Sequence, residues 1–421
     1  MKEPKIKKMY KKVLPNGVTL YMYSDKNLKR TYANYIIGYG NSGMFNEVSI
    51  NGKKEKLPFG MAHFLEHMLL EQSKYGNMLH YFLSKNYDMN AQTHDRFTRF
   101  FILGYKDMKD SIEKLIRIID EPAFTKESIE KVKPAVIEEL KKINDKKYTK
   151  AFACAGRNLY AGYEEKAATY NTLGSEEETK AFTYELARKA YDMYYYDANK
   201  KLVIAGNIDI DEMEEFVLNI YKSIKPHKKI GETVLNDKFP VRKKKEVLYD
   251  VMNNTLMVLA FKRKYTEKKN IFKENIYRNI YYRTSLYDND SFKNRLNDEK
   301  IIIGDIIYDQ DVFNGINEIF FMADILNEEL FEKELINYLK TNIDNISEED
   351  FNLYKKNYIA SSITNWDDPY SVFSSFTISL EYFDEIDYSK VAKSLDYNEF
   401  KEHIKTINYD EYTKVIMENK N

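Results

Sequence analysis

Two histidines and one glutamate form the short motif of this sequence that is best suited to chemistry. His63, Glu66 and His67 lie in the string His-Phe-Leu-Glu-His, within an apolar segment of helical spacing from Phe59 to Leu70. On a helix the two imidazoles lie one above the other, so both can reach one zinc ion at the ~2.0–2.1 Å of Zn–N bonds. Glu66 projects beside that face and can accept a proton from a water molecule held by the metal. The pattern H-x-x-E-H therefore predicts a metal-dependent hydrolase.

A catalytic zinc site needs a third protein ligand and an open position for water. The candidates are Glu138 and Glu139, an acidic pair in a predicted helix from Lys126 to Asn144. Adjacent helical residues point about 100° apart, so only one of them can face the metal squarely, and spacing does not choose. Two histidines on an apolar helix could also be packed core residues. The complete string is rare by chance in a chain with six histidines, which favours the metal site.

The composition limits the class of protein. A chain of 421 residues favours two or more domains, and 65 Lys and Arg nearly balance 66 Asp and Glu, so net charge does not favour a nucleic-acid partner. The single cysteine, Cys154, excludes an intramolecular disulfide framework and fits a reducing cytoplasm. No segment contains ~18 uncharged apolar residues in a row, and the N-terminus lacks an apolar stretch of signal-peptide length. We expect a cytoplasmic protein without membrane or nucleic-acid partners.

Strand and helix patterns alternate around the motif and predict an α+β fold. Val18–Tyr23 and Thr31–Tyr39 are rich in β-branched and aromatic residues, and we predict that these two strands pair. Ser175 and Glu178 can form a capping box, which predicts a long helix through Tyr194. The other predicted elements of this half are two strands within 88–104, helices over 109–120, 126–144 and 209–221, and a strand over 201–205.

A segment with scattered proline, glycine and lysine, residues 223–245, predicts a linker between two domains. Its basic cluster, Arg242–Lys245, is short and lacks interleaved aromatic residues, so we interpret it as solvated linker rather than a nucleic-acid patch. The predicted domains are a catalytic zinc-peptidase domain, 1–222, and a second domain of similar size and element order, 246–421.

Several separate segments resemble the pitrilysin/insulinase family of zinc metallopeptidases (inverzincins), particularly the short bacterial members similar to mitochondrial processing peptidase. The resemblance covers the first half of the chain collinearly. It implies one Zn²⁺ per chain and two homologous α/β-sandwich-like domains, each a mainly antiparallel sheet with helices on one face, the second domain being noncatalytic. The matching segments are Gly60–Leu69, Asn90–Thr93, Phe124–Asp145, Leu173–Ser175, Asp197–Asn199 and Ala205–Asn207.

The resemblance also selects the third ligand. In this family it is the second glutamate of a helix segment that matches Glu130 to Glu139, which favours Glu139 and leaves Glu138 as the alternative. Family members carry a further glutamate seven residues before that ligand, where this chain has Val132, and Pro134 is a second departure that could kink the helix.

Peptide substrates are implied by the same resemblance. Family members bind an extended peptide as an added strand, at the position of Asn90, Ala91, Gln92 and Thr93. We therefore expect a zinc-dependent endopeptidase that hydrolyses extended peptides or leader segments, with Glu66 as the general base.

A partner chain is implied as well. Family members complete the substrate site with an arginine followed seven residues later by a tyrosine, and here Arg295 is followed by Ile302. This broken pair favours a catalytic subunit that forms a heterodimer with a noncatalytic homologous chain. The alternatives are a self-sufficient homodimeric oligopeptidase, and a noncatalytic peptide-binding or scaffold subunit with a vestigial zinc site.

Overall fold

The computed structural model describes residues 9–71, 74, 76–105, 108–144, 146–159, 174–234, 240–264, 271–287, 290–313, 316–364, 371 and 388–420. They form two compact units. The first contains the described residues of Met1–Ile143, Asn171–Leu235 and Ile363–Ile386, and the second contains those of Asn144–Tyr170, Asn236–Ser362 and Asp387–Asn421. In these ranges, no helix has the length and apolar character needed to cross a lipid bilayer.

The first unit combines two sheets with a set of helices. Its strands are β1 (Tyr10–Val13), β2 (Thr19–Ser24), β3 (Arg30–Ile37), β4 (Glu47–Ile50), β5 (Lys53–Lys56), β6 (Asp88–Thr93), β7 (Thr98–Tyr105), β8 (Lys200–Gly206) and β9 (Gly231–Thr233). Its helices are α1 (Met61–Glu71), α2 (Met78–Ser84), α3 (Lys109–Asp120), α4 (Lys126–Asn144), α6 (Glu176–Ala181), α7 (Tyr184–Tyr194) and α8 (Ile210–Lys222), while α5 (Lys147–Asn158) belongs to the second unit.

The larger sheet of this unit has six described strands in the order β1-β2-β8-β3-β7-β6. Only β2 and β8 run parallel, so the sheet is mainly antiparallel. The prediction that β2 and β3 pair with each other is wrong, because β8 lies between them. Nearly every residue of β8 is buried, as in a central strand covered on both faces. The smaller sheet has the order β5-β4-β9.

The core of the first unit lies between one face of the six-stranded sheet and the helices. Leu20 and Tyr35 of the sheet pack in one apolar cluster with Phe64 and Leu65 of α1, and with residues of α3, α4, α7 and α8. Because alternate strand residues point to opposite faces, residues next to Leu20 and Tyr35 in sequence, such as Tyr21, belong to a second buried cluster on the other face. The helix that carries the motif is therefore packed directly against the sheet.

The second unit is built around a five-stranded sheet of order β10-β14-β11-β13-β12. An apolar core again joins this sheet to helices. Its strands are β10 (Lys245–Asp250), β11 (Thr255–Lys264), β12 (Ile302–Phe313), β13 (Ile316–Ile325) and β14 (Tyr412–Asn419). Its helices, besides α5, are α9 (Ile271–Tyr282), α10 (Asp290–Asp298), α11 (Glu328–Thr341), α12 (Glu348–Thr364), α13 (Tyr388–Lys393) and α14 (Tyr397–Lys405).

The two sheets repeat one topology. The order β2-β8-β3-β7-β6 corresponds strand for strand to β10-β14-β11-β13-β12. In both sheets the first pair is parallel and every later pair is antiparallel. The predicted fold class is confirmed: the chain is α+β, with two similar units that each place helices against a mainly antiparallel sheet.

Three local features differ from the sequence prediction. The capping box at Ser175 forms as expected, but the helix ends at Ala181, and Thr183 caps a new helix by accepting from Leu186 N. Part of the predicted linker forms β9, which pairs with β4 in the first unit. Helix α5 belongs to the second unit although the prediction placed it in the catalytic domain. The predicted domain limits, 1–222, 223–245 and 246–421, otherwise stay a prediction.

Candidate metal centre

Helix α1 holds the motif at the centre of the first unit. Its start depends on two glycines with positive φ: Gly60, and Gly174, where a Cβ atom would lie 2.7 Å from the carbonyl oxygen of Phe59. The backbone N–H of His63, one of the amides that a helix start leaves without an internal partner, donates to Asn41 Oδ1 at 3.4 Å. These contacts fix the position of α1.

Three side chains converge beside this helix. His63 Nε2 and His67 Nε2 are 3.3 Å apart, and Glu139 Oε2 of α4 lies 3.6 Å from the first and 3.3 Å from the second. Two ligand atoms about 2.05 Å from one ion, at the tetrahedral angle, lie about 3.3–3.4 Å apart. The three side chains therefore fit a zinc ion. Among the described residues, they form the group of potential ligands whose atoms lie within 4.8 Å of one another.

The structure distinguishes Glu139 from its neighbour Glu138. Glu139 faces both histidines, whereas Glu138 is exposed and its Oε1 forms an ion pair of 2.8 Å with Lys142 Nζ. The side chain of Glu139 is 43% exposed while that of His63 is 7% exposed, so the group of ligands is reached by solvent from the Glu139 side. An exposed side suits a catalytic site, because such a site keeps a position open for water and substrate.

The electrostatic environment differs between the two histidines. Burial, followed by the neighbouring His67, lowers the pKa of His63 to about 3, so this imidazole is neutral, as a ligand must be. Burial also opposes the charged form of His67, but hydrogen bonds with Glu139 and Glu71 outweigh it and raise the pKa of His67 to about 9. Protons therefore compete with a metal mainly at His67. The hydrogen bond from His67 lowers the pKa of Glu139.

Glu66 lies on the same helix and is 8% exposed. Burial raises its pKa to about 7, although a hydrogen bond from Thr93 partly opposes the shift. In that bond, Thr93 Oγ1 donates to Glu66 Oε2 at 2.5 Å. A carboxyl group with a pKa near neutrality can both accept and deliver a proton at working pH, which is the property of a general acid–base residue.

The four residues predicted to bind substrate, Asn90, Ala91, Gln92 and Thr93, lie on β6. Within the described part of the chain, β6 is the last strand of its sheet and pairs only with β7. Thr93 faces Glu66, and Gln92 Oε1 accepts from Arg99 Nε at 2.9 Å. Among the described residues, the edge of β6 that faces away from β7 has no paired strand, and Thr93 brings this strand into contact with Glu66.

The departures from the family pattern have clear structural positions. Val132 is fully buried in the apolar core, so it offers no polar contact to the metal ligands. Helix α4 continues through Pro134. In the second unit, Arg295 forms ion pairs with Glu299 and Glu334, and Ile302 is buried in the core.

Two contacts at the site are not predicted from the sequence: that of Thr93 with Glu66 and that of Glu71 with His67. Thr93 was predicted to bind substrate, and its contact with Glu66 depends on a strand register that sequence does not show. Glu71 Oε1 lies 2.7 Å from His67 Nδ1. Its position four residues after His67 on one helix was a readable signal for that contact.

Family models match both halves of the chain. Residues 53–173 match the insulinase (peptidase family M16) model, and residues 181–358 match the model of the peptidase M16 inactive domain.

Among curated proteins, the uncharacterized zinc protease YmfH of Bacillus subtilis (strain 168) is 27% identical over 203 residues, which is 48% of this chain and 46% of that protein. The chloroplastic stromal processing peptidase of Arabidopsis thaliana is 30% identical over 169 residues, 38% of this chain and 13% of that protein. The chain therefore matches less than half the length of these relatives.

Solved structures share the fold. A candidate M16-like peptidase from Alicyclobacillus acidocaldarius superposes with a TM-score of 0.86 at 18% identity, covering 100% of both chains. A protease from Helicobacter pylori gives a TM-score of 0.80 at 16% identity, covering 98% of this chain and 100% of that chain. With the models that match residues 53–173 and 181–358, the chain belongs to the insulinase family of peptidases, peptidase family M16.

Proposed function

We propose that the chain is a zinc-dependent endopeptidase that cleaves extended peptides or leader segments, with one zinc ion per chain. The observation that carries this proposal is the convergence of His63, His67 and Glu139 at zinc-ligand spacing, beside the buried carboxyl group of Glu66. The family and the relative described as a zinc protease support it.

The residues divide the chemistry between them. His63, His67 and Glu139 would hold the ion, which supplies Lewis acidity to a water molecule and to the peptide carbonyl. Glu66 accepts the proton of the attacking water and then delivers it to the nitrogen of the leaving amine. Thr93 holds Glu66 Oε2 by its hydroxyl group, so the other oxygen of the carboxyl group is left for the proton transfer. The pKa of Glu66, about 7, suits a group that performs both transfers.

Substrate recognition is proposed to occur along β6. In the part of the chain that the structure describes, one edge of β6 is unpaired and offers backbone N–H and C=O groups, and pairing with them requires an extended peptide with little regard to its side chains. Because such pairing positions a peptide but holds a folded domain poorly, unstructured peptides or leaders are the proposed substrate class. Two relatives are named stromal processing peptidases, which supports a leader as the substrate.

We further propose that this chain is the catalytic subunit of a cytoplasmic heterodimer with a noncatalytic homologue. Ile302, at the position of the expected tyrosine, is buried and cannot contact a peptide, while Arg295 is engaged with two glutamates. A partner chain would then supply the missing contacts. The single cysteine, Cys154, supports the cytoplasmic location, which cell fractionation tests.

Metal content and peptide turnover, measured together, test the proposed activity. The chain purified without added metal should contain roughly one equivalent of zinc and cleave an internally quenched peptide. Glu66→Gln should keep the zinc and lose nearly all turnover, because the amide cannot accept a proton. Glu138→Gln is the matched control and should change neither. Absence of zinc that added zinc does not restore would refute the metal site, whereas zinc without turnover, also in the presence of a partner, would favour the scaffold alternative.

The proposed partner needs a separate experiment. Co-expression with a homologous chain that lacks H-x-x-E-H but has an arginine and a tyrosine seven residues apart should raise kcat/KM at least about tenfold, or ~1.4 kcal/mol of transition-state stabilisation. Changing that arginine or tyrosine should remove most of the gain while the chains stay associated. A single chain with the full rate of the pair would refute the heterodimer and favour a homodimer.

A further inference from the structure

Glu71 is the last residue of α1 and lies one helical turn after His67. Its Oε1 atom is 2.7 Å from His67 Nδ1, with 26% of the Glu71 side chain and 19% of the His67 side chain exposed. The other ring nitrogen of the same histidine, Nε2, is the one that lies 3.3 Å from both His63 Nε2 and Glu139 Oε2. Glu71 therefore contacts His67 at the nitrogen that is not directed towards the other two candidate ligands.

A histidine must lose one ring hydrogen to bind a metal, and the resulting neutral imidazole keeps a hydrogen on only one of its two nitrogens. A carboxylate only accepts hydrogen bonds, so a contact of 2.7 Å requires the hydrogen to be on Nδ1. The lone pair is then on Nε2 and points towards His63 and Glu139. The same carboxylate increases the basicity of the imidazole and restricts rotation of its ring.

No other polar contact of this kind supports the candidate ligands in the described residues. His63 Nδ1 is buried and has no hydrogen-bond partner there. Val132, where the family pattern places a glutamate, is an apolar core residue. The helix dipole gives no separate reason for a carboxylate at Glu71, because a negative charge in the last turn of a helix interacts unfavourably with it.

We propose that Glu71 is a positioning residue for the metal ligand His67, which it holds as the tautomer with a free Nε2 lone pair. Glu71 is not itself a ligand, because its contact lies on the Nδ1 side of the ring. This inference rests on the proposed zinc-peptidase function and adds the residue that preorganises the site. In this chain the support for a ligand comes from α1 itself and replaces the support that Val132 cannot give.

Zinc affinity tests the proposal without reference to activity. Competition with a chromophoric chelator at fixed pH gives the dissociation constant of zinc for the full chain and its variants. Glu71→Ala should weaken zinc binding by about 10–100-fold, and Glu71→Gln, which keeps an oxygen that accepts from Nδ1, should retain more affinity than alanine. Glu138→Ala removes a carboxylate next to ligand Glu139 that pairs with Lys142 instead, and should leave the affinity unchanged.

Two further readouts separate positioning from a general loss of structure. In the metal-free chain, at a pH high enough for His67 to be neutral, the ¹⁵N shifts of its ring should indicate hydrogen on Nδ1 in the wild type and a mixture of tautomers in Glu71→Ala. The visible spectrum of the Co²⁺-substituted protein should also differ between the two. Circular dichroism monitors folding, and if the alanine variant does not fold, the glutamine variant decides by the same measurements. Wild-type zinc affinity and an unchanged His67 tautomer in a folded variant overturn the inference and leave the proposed function intact. A wild-type chain that binds no zinc overturns both.

Discussion

The hydrogen bond between Thr93 and Glu66 provides a direct test of the proposed general base. Thr93 Oγ1 donates to Glu66 Oε2 at 2.5 Å, and Thr98 Oγ1 lies 3.2 Å from Thr93 Oγ1 but donates to the carbonyl oxygen of Tyr39 at 2.9 Å. Glu66 therefore receives its bond from Thr93. Thr93→Val keeps the shape and β propensity of the side chain and removes only the donor.

The size of the effect follows from the charge of the acceptor. A hydrogen bond to a charged group contributes about 1.5–3 kcal/mol, and each pKa unit corresponds to about 1.36 kcal/mol. Because the hydroxyl group stabilises the ionised form of Glu66, its removal should raise the pKa of Glu66 by about 1–2 units. A bound divalent cation would lower the pKa of Glu66 in both the variant and the wild type, so the difference between the two proteins should remain.

The assay is the pH dependence of kcat/KM with a quenched peptide, compared between Thr93→Val and the wild type. Glu66 must be ionised to accept a proton, so kcat/KM rises as pH increases through its pKa, and this acid limb should move about 1–2 pH units higher in the variant. At pH values below the wild-type limb, kcat/KM of the variant should be about 10–100-fold lower than that of the wild type. At pH values above the variant limb, the two values should be nearly equal. Thr98→Val is the matched control, because it removes a buried hydroxyl group that does not contact Glu66. An unmoved limb, or an equal loss at every pH, would refute the role of Thr93.

Three further predictions test other parts of the structure. Glu139→Gln should weaken zinc binding in a chelator competition, whereas Glu138→Gln should not, because only the first carboxylate faces the histidines; the reverse order would exchange their roles. Burial opposes ionisation of Glu246, but its hydrogen bonds and the charge of Arg157 lower its pKa to about 2, so it should stabilise the second unit by about 2–3 kcal/mol at pH values above 4.5. This contribution should be lost as pH falls towards 2, which urea unfolding of wild type and Glu246→Gln at several pH values measures; an equal difference at all pH values would contradict it. Burial raises the pKa of Cys154 to about 11, so iodoacetamide should modify it at neutral pH only after unfolding, as mass spectrometry can show, and rapid labelling of the folded chain would contradict this.

The local features of the site could be predicted well from sequence. The spacing of His63, Glu66 and His67 is a property of one helix, and the structure shows that helix with the two imidazole rings adjacent. Glu139 required the family resemblance in addition, because residue spacing does not relate one helix to another. The structure then brings its carboxylate to both histidines.

Long-range pairing was the part that local pattern did not reveal. An apolar, β-branched segment indicates a strand but not its neighbour, so β8, distant in sequence, was not expected between β2 and β3. Thr183 is a typical cap residue and is a signal for the break between α6 and α7. The sequence prediction gives more weight to the helical pattern on both sides of it and so joins the two helices. The contact between Thr93 and Glu66 needs both a strand register and the position of α1, and no local pattern contains both.

The second unit shows what the same topology contains in place of the metal ligands. In the described residues, α9 is the first α-helix after β11 and α1 is the first α-helix after β3, and each of these strands lies beside the parallel pair of its sheet. On α9 the buried polar residues are Glu274 and Arg278, and Arg278 Nη1 lies 3.2 Å from His403 Nε2. Burial, and then the charge of Arg278, lowers the pKa of His403 to about 3, so this histidine is neutral and accepts the hydrogen bond. A fixed guanidinium charge next to a lone imidazole repels a cation rather than binding one. In both units a helix with a few buried polar side chains therefore packs against the sheet, and among the described residues the group that could hold a metal ion lies in the first unit.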